Sequence, residues 1–209
     1  MRTVVAALLF HLVSTGPATI PARLQSAVSP KPPLNAIAGT CVLADVTVDL
    51  QGHVAGISIL QGMEPFTDSA SRAMKQWRFK PASLNGQGVA SRVGVLTVFR
   101  PAAIGNTGVG GPSLGYKQPE LSQNDRPPLP LAITDPGYPV NSTMMGVVIF
   151  ELTLDKSGHP SKVRTVLDIP SLTDVARDAI RSWKFTPAME LGQPVDGTLI
   201  VAISFMRPV

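Results

Sequence analysis

One cysteine, Cys41, stands in the whole 209-residue chain, so no disulfide can form within it. Cys41 is also poorly placed for lipid attachment, because Ala38-Gly39-Thr40 makes a poor lipobox far from the apolar leader. A small semi-buried hydrophobe is the reading that remains. Charged residues make up only 15% of the chain, and the net charge of +4 is spread without any run of Lys or Arg. With no aromatic residues interleaved among the basic ones, a nucleic-acid partner is not expected. A basic surface equally suits the neighbourhood of an anionic membrane.

Signs of catalysis are missing too. His53 and His159 each follow a turn, and neither has a second ligand at metal spacing. Ser142 and Ser204 have no identifiable His and acid beside them, and Asp49 and Asp155 read as turn formers. Gly108 to Gly111 lacks the flanking strand, helix and Lys of a phosphate loop. The expectation is therefore a chain that is not an enzyme and takes no metal or cofactor.

A membrane-spanning run of about twenty apolar residues is also lacking. What exists is Arg2 followed by Val4 to Val13 and then the small and turn-prone residues Ser14 to Ala18. That order is the one of a secretory signal cut after Ala18 or Ala22, and residues 1–22 are read so. The alternative is an uncleaved anchor in the inner membrane facing the periplasm, for which His11 is the main argument.

What the chain does have is a duplication. Trp77-Arg78-Phe79-Lys80-Pro81-Ala82 recurs as Trp183-Lys184-Phe185-Thr186-Pro187-Ala188, an offset of 106 residues (183 − 77). Asp49, Gly52, Thr67, Asp68, Ala70, Ala73, Gly86 and Phe99 match Asp155, Gly158, Thr173, Asp174, Ala176, Ala179, Gly192 and Phe205 without a gap. One supersecondary unit thus occurs twice. Repeat 1 is placed at 30–101, a Gly/Pro-rich linker at 102–134 and repeat 2 at 135–209. Arg126-Pro127-Pro128-Leu129-Pro130 in that linker favours extended polyproline II, and the whole is read as a tether.

Overlaying the copies gives the local structure. Val42, Ala44, Val46 and Val48 alternate with Asp45, Thr47 and Asp49, as Val148, Phe150, Leu152 and Leu154 do with Glu151, Thr153 and Asp155, and predict half-buried strands. Asp-x-x-Gly closes a hairpin in both copies, and second strands follow at about Val54 to Leu60 and Lys162 to Leu167. Phe66 or Leu172 before Thr67-Asp68 or Thr173-Asp174 suggests a staple and a cap. The stripes Ala70, Ala73, Met74, Trp77 and Ala176, Ala179, Ile180, Trp183 then mark one buried helix face. A Gly-Gln turn leads to the last strands, ending near Phe99 and Phe205. The fold class is α+β: two β-β-α-β units, each a mostly antiparallel three-stranded sheet with a helix on one face. Trp77, Phe79, Pro81, Trp183, Phe185 and Pro187 close each helix against its sheet.

Tyr138-Pro139, Gly146-Val147-Val148, Asp155-x-x-Gly158, the alanine-bearing helix, Trp183-x-Phe185-x-Pro187 and the strand ending at Phe205 together resemble the C-terminal domain of TonB, the periplasmic energy transducer. The likeness covers the second repeat whole and the first more loosely. It implies binding of an extended segment of outer-membrane transporters by strand addition, where main-chain hydrogen bonds give affinity and side-chain pockets give choice. On this reading the docking edge is the last strand, with Thr198, Ile200, Ala202 and Ser204 outward, preceded by Asp135, Pro136 and Tyr138. Asp135 departs from the family's Gln-Pro, replacing an amide by an acceptor. Coupling to an ExbB and ExbD motor is implied only for an uncleaved anchor. The alternative is an envelope protein whose repeats pack on each other without binding a transporter peptide, and self-association through sheet edges is also open.

Overall fold

The computed structural model describes residues 19–33, 39–100, 114–118, 120, 125–139 and 141–206. The apolar leader before Thr19 and the Gly108 to Gly111 group lie outside these residues. In the first copy, β1 (Thr19–Ile20) and β2 (Arg23–Ser26) form a leading strap. They precede the hairpin of β3 (Thr40–Val48) and β4 (Val54–Gln61), then α1 (Phe66–Met74) and β5 (Arg78–Lys80). A small hairpin of β6 (Ala82–Leu84) and β7 (Gln87–Val89) leads into β8 (Ser91–Phe99). The second copy repeats the order. A strap carries β9 (Pro130–Ala132), and the hairpin of β10 (Gly146–Leu154) and β11 (Pro160–Leu167) is followed by α2 (Pro170–Ser182). Next come β12 (Lys184–Phe185), β13 (Ala188–Glu190), β14 (Gln193–Val195) and β15 (Gly197–Phe205).

The Asp-x-x-Gly turns have one cause in both copies. Asp49 Oδ1 accepts the N–H groups of Gln51 and His53 at 2.9 and 2.8 Å, and Asp155 Oδ1 those of Ser157 and His159 at 2.9 Å each. The N–H of His53 is the main cause that holds the Asp49 carboxyl below its usual range; the Ser157 hydroxyl does so for Asp155. Gly52 and Gly158 have φ of +82° and +81°, and a Cβ there would lie 1.8 Å from the Phe79 carbonyl oxygen or 2.5 Å from that of Phe185. The turn therefore docks on the strand after the helix, and only glycine fits both the conformation and the approach.

Each helix starts without the expected threonine cap. Thr67 and Thr173 lie inside the first turns, with Pro65 and Ile169 at the cap positions and no side-chain cap bond. The threonine hydroxyls bond locally instead: Thr67 to Glu64, and Thr173 to Asp168 and to the N–H of Ile169 at 3.0 Å. Proline at the start of α2 has no N–H to leave unsatisfied, which offsets the missing cap.

The two units are α+β as read, but their sheets fuse. The strands form one six-stranded sheet in the order β11-β10-β15-β8-β3-β4. Every pairing within a unit is antiparallel, whereas β15 and β8 pair in parallel across the middle. Phe66, Ala70 and Met74 of α1 share a core with Ile149, Ile200 and Ala202 of the second unit. Leu172, Ala176 and Ile180 of α2 share the other core with Leu43, Leu96 and Val98 of the first. The helices thus cover opposite faces, as a rotation about an axis parallel to the central strands requires. A strict rotation would set residues 106 apart side by side, with their side chains on opposite faces. Paired residues of a parallel ladder must point to one face, so the register slips by one, as in Leu199 beside Gly94 and Ile200 beside Val95.

The straps complete both cores. Arg126 to Pro130, expected as part of a free tether, lies along the second copy with Pro127 to Pro130 buried. The strap pairs through β9 with β12, as β2 does with β5. Apolar prolines without N–H groups can be buried beside a sheet at little polar cost, which explains why this sequence packs rather than floats.

Gly52→Ala should lower stability by about 2–3 kcal/mol, from the strained φ and the clash with Phe79. Urea denaturation of the pure protein measures it, and an unchanged midpoint would mean that the turn does not dock as described.

Candidate functional site

The edge expected to receive a peptide is filled. β15 is paired on one side along its whole length with β10 and on the other with β8 from Leu199 to Ser204. Ile200 and Ala202, expected outward, lie in the α1 core, and Thr198 and Ser204 are equally buried. The Thr198 hydroxyl donates to the carbonyl of Ala22 at 2.6 Å, while the Ser204 hydroxyl is buried without a hydrogen-bond partner. The physical reason for this correction is symmetry of need. Each unit alone leaves its last strand with an open ladder and an apolar outer face, and the other unit supplies both the ladder and the cover. Each last strand therefore occupies on its sister the place an added strand would take. The edge strands of the six-stranded sheet are β11 and β4.

The segment ahead of repeat 2 is engaged within the chain as well. Asp135 receives Arg100 Nε at 2.5 Å, both side chains being nearly buried, and accepts the N–H of Gly137 at 3.1 Å. Arg100 also stands over the Phe205 ring at 5.1 Å from its centre. An acceptor-only side chain is what that guanidinium needs, so Asp135 serves an ion pair between repeats. Tyr138 donates to the Met144 carbonyl at 2.7 Å and packs 6.5 Å from Phe205, while Pro136 is half-exposed between them.

The repeated aromatic motif has a second task. Trp77, Phe79, Trp183 and Phe185 are buried, with Pro81 and Pro187 half-buried beside them. Trp77 Nε1 donates to the Val28 carbonyl at 2.9 Å and Trp183 Nε1 to that of Thr134 at 3.0 Å. These acceptors are again 106 apart (134 − 28), so the duplication includes the straps. Each indole closes a core and pins the strap that crosses it.

Sequence reasoning missed two buried acids at one repeat position, Asp45 and Glu151 (151 − 45 = 106), each 4% exposed. Glu151 accepts Arg164 Nε and a second guanidinium nitrogen at 3.1 and 2.9 Å, and the Leu24 N–H of the first strap at 2.5 Å. Arg164 in turn donates to the Leu24 carbonyl at 2.5 Å, and Arg23 approaches Glu151 to 3.5 Å. A carboxylate of the second unit therefore clamps the leading strap of the first. Asp45 pairs with Arg92, which reaches the carbonyl of Asp125 ahead of the second strap. An acid at the alternate position of a strand reads as solvent-facing, and only the fused sheet puts it under cover.

Burial pushes the Cys41 thiol up to about 12, with the Asp135 charge adding to it. Tyr116 is raised as well, first by burial, and its hydroxyl donates to the Pro130 carbonyl. Among the described residues no group of three His, Cys, Asp or Glu could hold a metal, and no helix is long and apolar enough to cross a membrane.

This architecture defines a doubled β-β-α-β module whose two units share one sheet. The family model described as Gram-negative bacterial TonB protein C-terminal matches residues 34–101 and 136–206, and the chain belongs to that family. The family comprises interaction and energy-transduction modules of the periplasm that act in envelope transport. No curated protein matches the chain.

Glu151→Ala should cost about 3 kcal/mol, because it strands a partly buried guanidinium and a strap N–H. Hydrogen exchange should show the loss first at Leu24, and Arg164→Ala added to Glu151→Ala should recover part of it. Cys41 should resist thiol reagents at pH 8 in the folded protein and react only as fast as the chain unfolds. Rapid labelling under native conditions would mean that the sheet opens at β3.

Proposed function

We propose that the chain is an exported, non-enzymatic interaction protein of the cell envelope in which two TonB-like units have joined into one rigid sheet and no longer offer their last strands to a transporter peptide. The observation that carries this reading is the parallel pairing of β15 with β8, buried on both faces. Opening that seam would expose apolar surface of both cores and two unpaired ladders, which an incoming peptide would have to replace in full. Work at the membrane surface suits the +4 charge, and processing after Ala18 leaves the strap intact, whereas processing after Ala22 removes β1. Coupling to an ExbB and ExbD motor belongs to this reading only where the leader stays in the membrane.

The test is a titration with transporter N-terminal peptides, run on the natural chain and on Thr97→Cys with Ala202→Cys. These two are register partners on the α1 face, away from Cys41, so oxidation locks the seam. Neither protein should show saturable binding. Binding by the natural chain that oxidation of the double variant abolishes and reduction restores would overturn the proposal and return β15 as the docking edge.

A further inference from the structure

The two outer edges of the fused sheet come from the same strand of the repeat, yet only one is guarded. β11 begins with Pro160 and carries Lys162 and Arg164. The residues 106 earlier in β4 are Val54, Gly56 and Ser58, and Val54–Gln61 holds no proline and no charge at all. Proline and inward or rim charges are the usual means by which an edge strand avoids pairing with another chain. β11 is further occupied by its neighbours, since Arg164 holds Leu24 and Arg177 bonds the Thr165 hydroxyl at 3.0 Å. At the end of β4, Gln61 donates to the Gly115 carbonyl and accepts the N–H of Lys117 at 3.0 Å each.

Both edges are bulged, so the regular run of β4 is Gly56 to Ile59. Its rim is uncharged, with Ile59 and, at the bulge, Leu60 each 39% exposed and Met63 just beyond at 49%. We propose that this rim pairs with the same strand of a second copy of the chain, antiparallel about a dyad at Ser58, to give a twelve-stranded sheet across two molecules. A second copy is the occupant that the chemistry selects. An uncharged edge meets itself without like-charge contact, whereas choosing a foreign segment by electrostatic complementarity needs a charge that β4 does not carry. Gly56 and Ser58 leave room beside the ladder, and Ile57, which packs against the α1 core, would face the exposed Ile59 of the second copy across the two-fold. With four regular residues the contact belongs to the small, transient class.

Sedimentation from about 10 µM to about 1 mM, a range that spans weak association, should show the mass rising from monomer towards twice its value. Amides of Gly56 to Ile59 should gain exchange protection as concentration rises. Gly56→Lys with Ser58→Arg transplants the guards of β11. A Cβ at Gly56 meets only the Thr47 side chain at ordinary contact distance, so the fold is kept, which the thermal midpoint checks. That variant should remain monomeric throughout, while Val163→Lys on β11 should dimerise like the natural chain. A natural chain that stays monomeric at 1 mM, a guarded variant that still dimerises, or a dimer lost in Val163→Lys would each overturn the proposal. Capture of an extended foreign peptide at β4 by a monomeric chain would do the same.

Discussion

The parallel ladder between β8 and β15 is the constraint on which the remaining structure depends. It converts two three-stranded sheets, each with a bare last strand, into one sheet whose central strands are covered on both faces. Because the ladder is parallel and the units are turned over relative to each other, each helix covers residues of both repeats. Stability is therefore shared: Ile200 and Ala202 belong to the core of α1, and Leu96 and Val98 to that of α2. Domains of about seventy residues bury little surface alone, and this exchange of faces gives each the core of a larger one.

The straps and their acids follow from the same fusion. Turning the units over brings the polar alternate positions of β3 and β10 beneath the other unit's leading segment. An acid buried there is tolerable only if it is bonded, and Arg164 with the Leu24 N–H, or Arg92, supplies the bonds. What reads along the sequence as a solvent-facing acid becomes a lock between repeats. The Asp135–Arg100 pair closes the same seam from the end of β8.

The sequence made the unit legible and the assembly illegible. Elements repeating at a fixed offset, such as the Asp-x-x-Gly turn and the Trp-x-Phe-x-Pro corner, were readable because their causes are local: a side-chain bond, a positive φ, a proline after a helix. Strand periodicity likewise placed β3, β10 and the last strands within a few residues. It also assigned Thr198 to Ser204 an outward face, which is correct for one unit and wrong for two, since nothing in a period-two pattern says whether the outer face meets water or a sister unit. The uniformly apolar run Leu199 to Ile203 was the available signal, because a strand buried on both faces loses its alternation. The buried strap escaped notice for a related reason: proline-rich composition marks extended backbone without saying what the backbone lies against.

The one-residue slip between the central strands has a bearing on ancestry. Two identical polypeptides related by a true dyad along their last strands would each present the same residue at the same height, facing opposite ways, and no parallel ladder could form. Joining the two units in one chain removes the demand for equivalence. Thereafter Gly94 can stay bare, where a Cβ would collide with the Pro128 carbonyl at 2.3 Å, while its counterpart Ile200 fills a core. Covalent linkage thus frees the halves from equivalence, so that one serves as the left and the other as the right partner of the seam.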